Sequence, residues 1–468
     1  MVIKLSKVIW NEKVMANEKV DNSFDSLDVD ILIIGGGITG FSVAYFLKDY
    51  KGRIALIDRN DIGNGTTSKS SAKITYMQGI YHKLKRDKAT LYLKSQLKGI
   101  NLLTNIIESN NINCDLKEVS SILFTNNTSN KKIIDLEKEF LINNGVKVTD
   151  YRNKYGIMVN DTYVFNPVKY LLFLREYLDK YIDFVFNTTV YKVRKQNNYY
   201  LVETSRGVIK CTKIVYACSY PFFIYPLFVP LKTYVMREYL NASYMANDLD
   251  YSMINVDNEL YSLRSFNKYY IYVSNKHKLT SLDYDNYYRR SKVDFLHYFG
   301  KWPEYSWINQ DIFSYDNLAL IGKISPSEYI GTAYGGWGII NATLAGKMIS
   351  DLIIKGSCDY YDLFNPLRFN FLFIKGLVGD SLLYIKNFLI LLFKKNNPLY
   401  IKIKGCIYGI YLDHYGIMHI VKLICPHMKC LLVFNSEEKT WDCPCHGSRF
   451  DINGKVLMGP AVKNIISK

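Results

Sequence analysis

The run DILIIGGGITGFSVAYFLKDY at residues 30–50, followed by RIALID at 53–58, restricts the fold more than any other stretch of the chain. DILII reads as a continuous apolar strand, the glycines turn the chain, and FSVAYFLKDY continues as a helix. RIALID is a second strand that ends at Asp58. Gly35, Gly37 and Gly40 make a G-x-G-x-x-G pattern within this strand–turn–helix–strand unit. Glycines there permit a tight turn and close backbone approach to a pyrophosphate, which sits at the positive N-terminal end of the helix. Asp58 stands where a carboxylate bonds ribose hydroxyls. A glycine turn serving only packing leaves Asp58 unexplained, so the unit predicts a dinucleotide site.

At 468 residues the chain is too long for one ordinary domain, and two or three are expected. The net charge of +16 comes from scattered lysines with no basic stripe, so we expect no nucleic-acid partner and assign the charge to a solvated surface. An acidic redox partner would be attracted to it. MVIKLSKVIWNEKVMANEKV, residues 1–20, has no continuous apolar core and does not read as a signal peptide. SLLYIKNFLILLFKK (381–395) contains Lys386 and is too short to span a bilayer. It is expected as a helix buried between domains, with membrane contact at most peripheral. The expected location is cytoplasmic.

Three later stretches decide between FAD and NAD. GNGTTSKSSAKITYMQG (63–79) is a loop of small and hydroxyl residues, and DNLALIGKISPSEYIGTAYGGWGIINATLAGKMISDLI (316–353) runs from a strand through a glycine turn into a helix. TTVYKVRKQNNYYLVETSRGVIKCTKIVYACSYPF (188–222) alternates like strands around a Gly turn. By themselves these could be close-packed turns and a hairpin. Together they resemble the D-amino-acid oxidase-like (DAO) flavoproteins. The resemblance implies FAD, with Gly35, Gly37, Gly40, Asp58 and Arg59 on its dinucleotide part. It puts Thr66, Thr67, Ser71, Ala72, Lys73 and Ile74 in the flavin-contacting loop. Val190 and Ala217 are implied near the adenine half, and Gly335, Gly336, Trp337 and Gly338 in the closing turn. A helix N-terminus aimed at the flavin would stabilise the anionic reduced ring.

CPHMKCLLVFNSEEKTWDCPCHGSRF (425–450) carries four of the nine cysteines and two of the seven histidines. It reads C-x-H at Cys425 and His427, then C-x-x-H at Cys443 and His446. Zinc sites typically use C-x-x-C or H-x-x-x-H pairs, so a structural zinc is the lesser reading. One Cys and one His in each of two loops suits a [2Fe–2S] centre with two thiolates on one iron and two imidazoles on the other. The segment, with GKVLMGPA after it, resembles a Rieske cluster motif. That resemblance implies Cys425, His427, Cys443 and His446 as ligands and a Cys430–Cys445 disulfide joining the loops. Lys429 stands where that family commonly has Gly, and Phe450 replaces the Tyr of high-potential members.

The whole order resembles bacterial DAO-like FAD oxidoreductases with a C-terminal Rieske domain. It implies a Rossmann-like α/β FAD-binding domain with an inserted α+β substrate domain, then a small all-β domain. The expected division is a 1–28 extension, the oxidoreductase at 29–365, a helical linker at 366–397 and the Rieske domain at 398–468. Within the oxidoreductase, the FAD parts are about 29–85, 155–220 and 311–360, and the substrate parts about 86–154 and 221–310. The expected activity is dehydrogenation of an amine, amino acid or hydroxy acid, with electrons passing from FAD to the cluster and on to an external one-electron acceptor, a protein or a quinone. A redox sensor with a decayed substrate site, or a reductase with reversed flow, are the alternatives. Arg237, Tyr239 and Arg264 are candidate anchors for a substrate carboxylate, because Arg offers a bidentate fork.

Overall fold

The computed structural model describes residues 8–10, 26–222, 229–281, 284–392 and 399–466. Most of the expected N-terminal extension, residues 393–397 of the expected linker and residue 398 of the expected Rieske domain therefore lie outside the described residues.

The unit that opens the sequence is the centre of an eight-stranded sheet. Ser26–Ile34 pairs in parallel with Ile54–Ile57 on one side and with Val208–Tyr216 on the other. Its residues 31–34 are buried on both faces, which is why DILII is continuous rather than alternating. The hairpin Val190–Lys195/Tyr200–Thr204 leads antiparallel into Val208–Tyr216, and Glu328–Thr332 joins that strand in parallel. Helices Ile38–Phe46 and Gly338–Ile354 cover one face of the sheet, with Gly346 against the Ser42 backbone.

Gly35 (φ 119°) makes the sharp exit from the first strand, and a Cβ there would stand 2.6 Å from the Ala217 carbonyl oxygen. A Cβ on Gly40 would stand 1.9 Å from the Gly35 oxygen, so strand and helix can cross this closely only through glycine. Gly40→Ala should accordingly abolish retention of FAD, read as the loss of visible flavin absorbance from purified, still folded protein.

A nine-stranded sheet forms the second layer, ordered Tyr305–Ser314, Thr233–Tyr244, Tyr269–Lys278, Ser262–Phe266, Tyr251–Asn255, Lys117–Thr125, Tyr155–Val164 and Lys73–Ile74, with Thr149–Tyr151 beside Tyr155–Val164. The expected division differs from this pairing, beginning with Lys73–Ile74, which lies in the second sheet. Tyr155–Val164 belongs to the second sheet, where it pairs with Lys117–Thr125, and so does Tyr305–Ser314 up to its end. Helix Arg86–Ser109 packs through Gly99 onto Ile340 of the helix Gly338–Ile354, on the FAD side.

The helix Phe371–Leu392 also departs from expectation. Among its described side chains, the aliphatic ones of the run expected to be buried between domains are open to solvent: Leu382 is 63% exposed and Ile385 53%. Phe373 and Asp380 hold it to the oxidoreductase, the latter by accepting from Lys278 (2.6 Å) and Tyr315 (2.9 Å). Among the described residues no helix is long and apolar enough to cross a membrane.

The C-terminal region is all β: a three-stranded sheet of Leu399–Ile403, Cys406–Leu412 and Met418–Lys422, and a four-stranded sheet from Val433–Asn435 to Val456–Met458. Trp441 and Phe450 are fully buried in its core with Val421 and Leu423.

Candidate functional site: a dinucleotide cavity against a cysteine–histidine centre

One long cavity runs between the two large sheets. Gly35, Gly37, Asp58, Arg59, Thr66, Thr67, Ser71, Ala72, Lys73, Val190, Ala217, Gly336, Trp337 and Gly338 all line it. Gly40, Ile74 and Gly335 do not; the first sits in the strand–helix crossing, and Ile74 is buried in its short strand against Tyr163. The loop at 65–73 curls over the first helix, where the Ile38 N–H donates to Thr67 Oγ1 at 3.1 Å.

Asp58 leaves its strand at the cavity wall, accepting from the N–H groups of Gly36 (2.6 Å) and Asn60 (2.8 Å). Burial raises its pKa against the pull of those bonds and of Arg59. Hydroxyl donors from a ribose would relieve that burial, so the wall fits the nucleotide half of FAD. At the other end, Gly335 and Gly336 take positive φ (65° and 88°) and deliver the chain into the Gly338–Ile354 helix, whose first turn faces the cavity.

The candidate anchors for a substrate carboxylate do not line the cavity, and this expectation is corrected for all three. Arg237 is fully buried on the far side of its strand, ion-paired with Asp442 at 2.8 Å. Tyr239, on the same side, stacks on His277 with ring centroids 5.7 Å apart. Arg264 donates to the carbonyls of Ala72 (2.7 Å), Ser71 (3.0 Å) and Phe165 (3.2 Å), so it braces the loop at 65–73 that lines the cavity. Trp10 completes that brace, with its Nε1–H donating to the Ser70 carbonyl at 3.1 Å and the Arg264 guanidinium over its ring. The residues that sequence reasoning missed are Glu238, Asn309 and Asp311, which do line the cavity.

In the C-terminal domain, two loops bring Cys425, His427, Cys443 and His446 together. The Cys430–Cys445 disulfide joins those loops, with Cα atoms 6.6 Å apart. The two imidazole rings lie 5.2 Å apart between centroids and perpendicular. Backbone N–H groups of His427 and Met428 donate to the Cys425 sulfur, and those of Cys445 and His446 to the Cys443 sulfur. Both ring nitrogens of His427 and Nδ1 of His446 are buried without a hydrogen-bond partner among the described residues. Buried bases left without donors, beside thiols ringed by N–H groups, fit a mixed-ligand iron–sulfur cluster. Lys429 sits at φ 62°, so the first loop keeps the left-handed turn expected of the glycine it replaces.

The Ser448 hydroxyl donates to the Cys425 sulfur, and its oxygen accepts from the Ala461 N–H at 2.9 Å. A donor to a ligand sulfur stabilises the more negative, reduced cluster. Ser448→Ala should therefore lower the cluster potential, and Phe450→Tyr, if its hydroxyl reaches a ligand sulfur, should raise it. Protein-film voltammetry checks both.

The two sites share a wall. Met458, Gly459 and Pro460 of the C-terminal domain line the dinucleotide cavity, and so does Tyr220. The Tyr220 ring also packs on both imidazoles, with centroids 5.2 Å from His446 and 6.2 Å from His427. Below it, Gln310 accepts from Arg237 (2.6 Å) and donates to the Gly447 carbonyl (3.0 Å).

The family model described as FAD dependent oxidoreductase (DAO) matches residues 30–352, and the Rieske [2Fe-2S] domain model matches residues 392–467. YhfW of Bacillus subtilis (strain 168), named as a Rieske 2Fe-2S iron-sulfur protein, is 27% identical over 478 residues, covering 94% of this chain and 93% of YhfW. The cytochrome b6-f complex iron-sulfur subunit 1 of Nostoc sp. is 37% identical over 71 residues, covering 15% of this chain and 36% of that subunit. The crystal structure of L-proline dehydrogenase from P. horikoshii is similar in fold, with a TM-score of 0.63 at 16% identity, covering 73% of this chain and 98% of that one. Glycine oxidase from Geobacillus kaustophilus also gives 0.63, at 14% identity, covering 74% of this chain and all of that one, 100%. The chain belongs to the FAD dependent oxidoreductase (DAO) family, with FAD as the cofactor of that domain and a [2Fe–2S] cluster as that of its C-terminal Rieske domain.

Proposed function

We propose that this oxidoreductase is a dehydrogenase that passes electrons from its flavin, through its own cluster, to an external one-electron acceptor. Bound FAD supplies two-electron chemistry on a C–H beside an amine or hydroxyl, and the cluster supplies one-electron steps. In this reading Gly35, Gly37, Asp58, Thr67, Lys73 and Gly336 are among the residues that hold FAD. Cys425 and Cys443 would hold the cluster through their thiolates, and His427 and His446 through their imidazoles.

The observation that carries the proposal is the position of Tyr220, a wall of the FAD cavity that touches both imidazoles. Its ring is buried where the cavity wall meets the two imidazoles. The Cys430–Cys445 disulfide and the Arg237–Asp442 pair hold the cluster loops against that ring. An appendage serving only as ballast would need no such contact.

The test is anaerobic mixing of cluster-replete protein with amines, amino acids and hydroxy acids, followed by visible absorption and freeze-quench EPR. The expected result is bleaching of the flavin band, followed by the low-average-g signal of a reduced mixed-ligand cluster. A flavin that bleaches fully while the cluster stays oxidised would overturn the proposal.

A further inference from the structure

The helix Phe371–Leu392 carries an apolar stripe outward. At about 100° per residue, Phe371, Ile374, Val378, Leu382, Ile385 and Leu389 fall within about 80° of one another on one face. These six side chains are from 50% to 80% exposed. At 1.5 Å per residue they make a ridge about 27 Å long. The opposite face of the helix is fixed to the body of the protein. Phe373 is buried, Asp380 accepts from Lys278 and Tyr315, and the Tyr384 hydroxyl accepts from the Leu431 N–H of the C-terminal domain. Gly376 lets the helix close on the Tyr315 ring, where a Cβ would stand 2.0 Å from Cδ1. Held at these points along its length, the helix cannot turn the stripe inward.

Charge selects what covers it. Lys375 and Lys386 are exposed and lie along one edge of the stripe. The single acidic residue of the helix, Asp380, is on the held face. The outward face is therefore apolar with a cationic border, on a chain whose net charge is +16. Such a face suits the headgroup level of an anionic bilayer, with apolar side chains in the acyl boundary and lysine stems reaching back to the phosphates. A second copy fits less well, because antiparallel pairing of two stripes would bring their lysine edges together.

We infer that the outward face of Phe371–Leu392 docks the protein on a membrane rich in anionic lipid, with the helix lying in the plane of the interface. The helix does not cross the bilayer, since its other face stays against the protein. Tyr384 ties the helix to the C-terminal domain, so docking holds that domain at the membrane surface too. The inference does not depend on the direction of electron flow.

The test floats the FAD- and cluster-replete full chain with vesicles of phosphatidylglycerol and phosphatidylcholine in equal parts, and with vesicles of phosphatidylcholine alone. The protein should bind the anionic vesicles, and added salt should weaken binding. The paired change Leu382→Asp with Ile385→Asp should weaken it on the order of 10-fold or more, by placing charge in the apolar stripe. Lys375→Gln and Lys386→Gln should each weaken it about 5-fold. Flavin absorbance and the cluster EPR signal should stay unchanged, because none of these four side chains lines the FAD cavity and all are exposed. Failure to bind anionic vesicles, equal binding to phosphatidylcholine alone, or binding that survives the aspartate pair would overturn the inference. Sedimentation velocity without vesicles reads the other occupant: a dimer that the aspartate pair dissociates would assign the stripe to a second copy and overturn it as well.

Discussion

Cys443→Ser is expected to lower turnover with a one-electron acceptor on the order of 100-fold or more, while substrate still bleaches the flavin. Groups beyond the first ring of ligands already change metal-site function by 10–100-fold, and Cys443 is placed as a ligand itself. The fold should survive the change. The Cys430–Cys445 disulfide holds the two loops without metal, and Trp441 and Phe450 keep the domain core. Removing the whole domain is a poorer test, because Met458, Gly459 and Pro460 wall the FAD cavity and Gly459 lies against Arg59. Stopped-flow comparison of flavin bleaching and acceptor reduction in wild type and variant checks the expectation. Acceptor turnover unchanged without a cluster would leave the Rieske domain outside the electron path.

Asp442→Asn should destabilise the docked structure by about 3–5 kcal/mol, the usual cost of breaking a buried ion pair by removing one partner. Asp442 is fully buried between Arg237 (2.8 Å) and Arg449 (3.1 Å), and Thr440 Oγ1 donates to it at 2.8 Å. Burial alone would raise its pKa, but the Arg449 and Arg237 charges outweigh that and hold the carboxyl at about 2. Arg449 keeps Glu438 after the substitution, whereas Arg237 exchanges the Asp442 carboxylate for a neutral amide and keeps the neutral Gln310. The companion change Arg237→Met removes that buried charge, so the double variant should lose clearly less than the sum of the singles. Urea unfolding of all four proteins, followed by flavin release, gives the coupling. Strict additivity would mean that the pair does not hold the domains together.

The parts of the site that were legible in the sequence are those whose chemistry is local. The G-x-G-x-x-G turn, Asp58 at the end of the next strand, and the C-x-H and C-x-x-H loops each need only a few consecutive residues with fixed backbone conformations. Thr66, Thr67, Ser71, Ala72, Lys73, Gly336, Trp337 and Gly338 came through resemblance and line the cavity, whereas Ile74 and Gly335, from the same resemblance, do not. The division between domains was less legible. Tyr155–Val164 reads equally well as a strand of either sheet, and only its pairing with Lys117–Thr125 assigns it.

The candidate anchors on the Thr233–Tyr244 strand were misplaced for a physical reason. In TYVMREYLNASY (233–244), Arg237 and Tyr239 look like the functional residues, and strand alternation separates them from Glu238. A sheet with one wet face announces its inside by alternation; this one is covered on both, by the cavity on one side and the Rieske domain on the other. Arg237 and Asn309 are therefore both buried, on opposite faces. Similarly, the apolar run at 381–395 shows that burial would be favourable but names no partner, and the chain leaves Leu382 and Ile385 exposed. The sequence by itself determined the two cofactor motifs and their order, because each is written in neighbouring residues. Only the tertiary structure decided which face of the Thr233–Tyr244 strand meets the cavity, and that Tyr220 bridges it to the imidazoles of His427 and His446, because both depend on contacts between segments far apart along the chain.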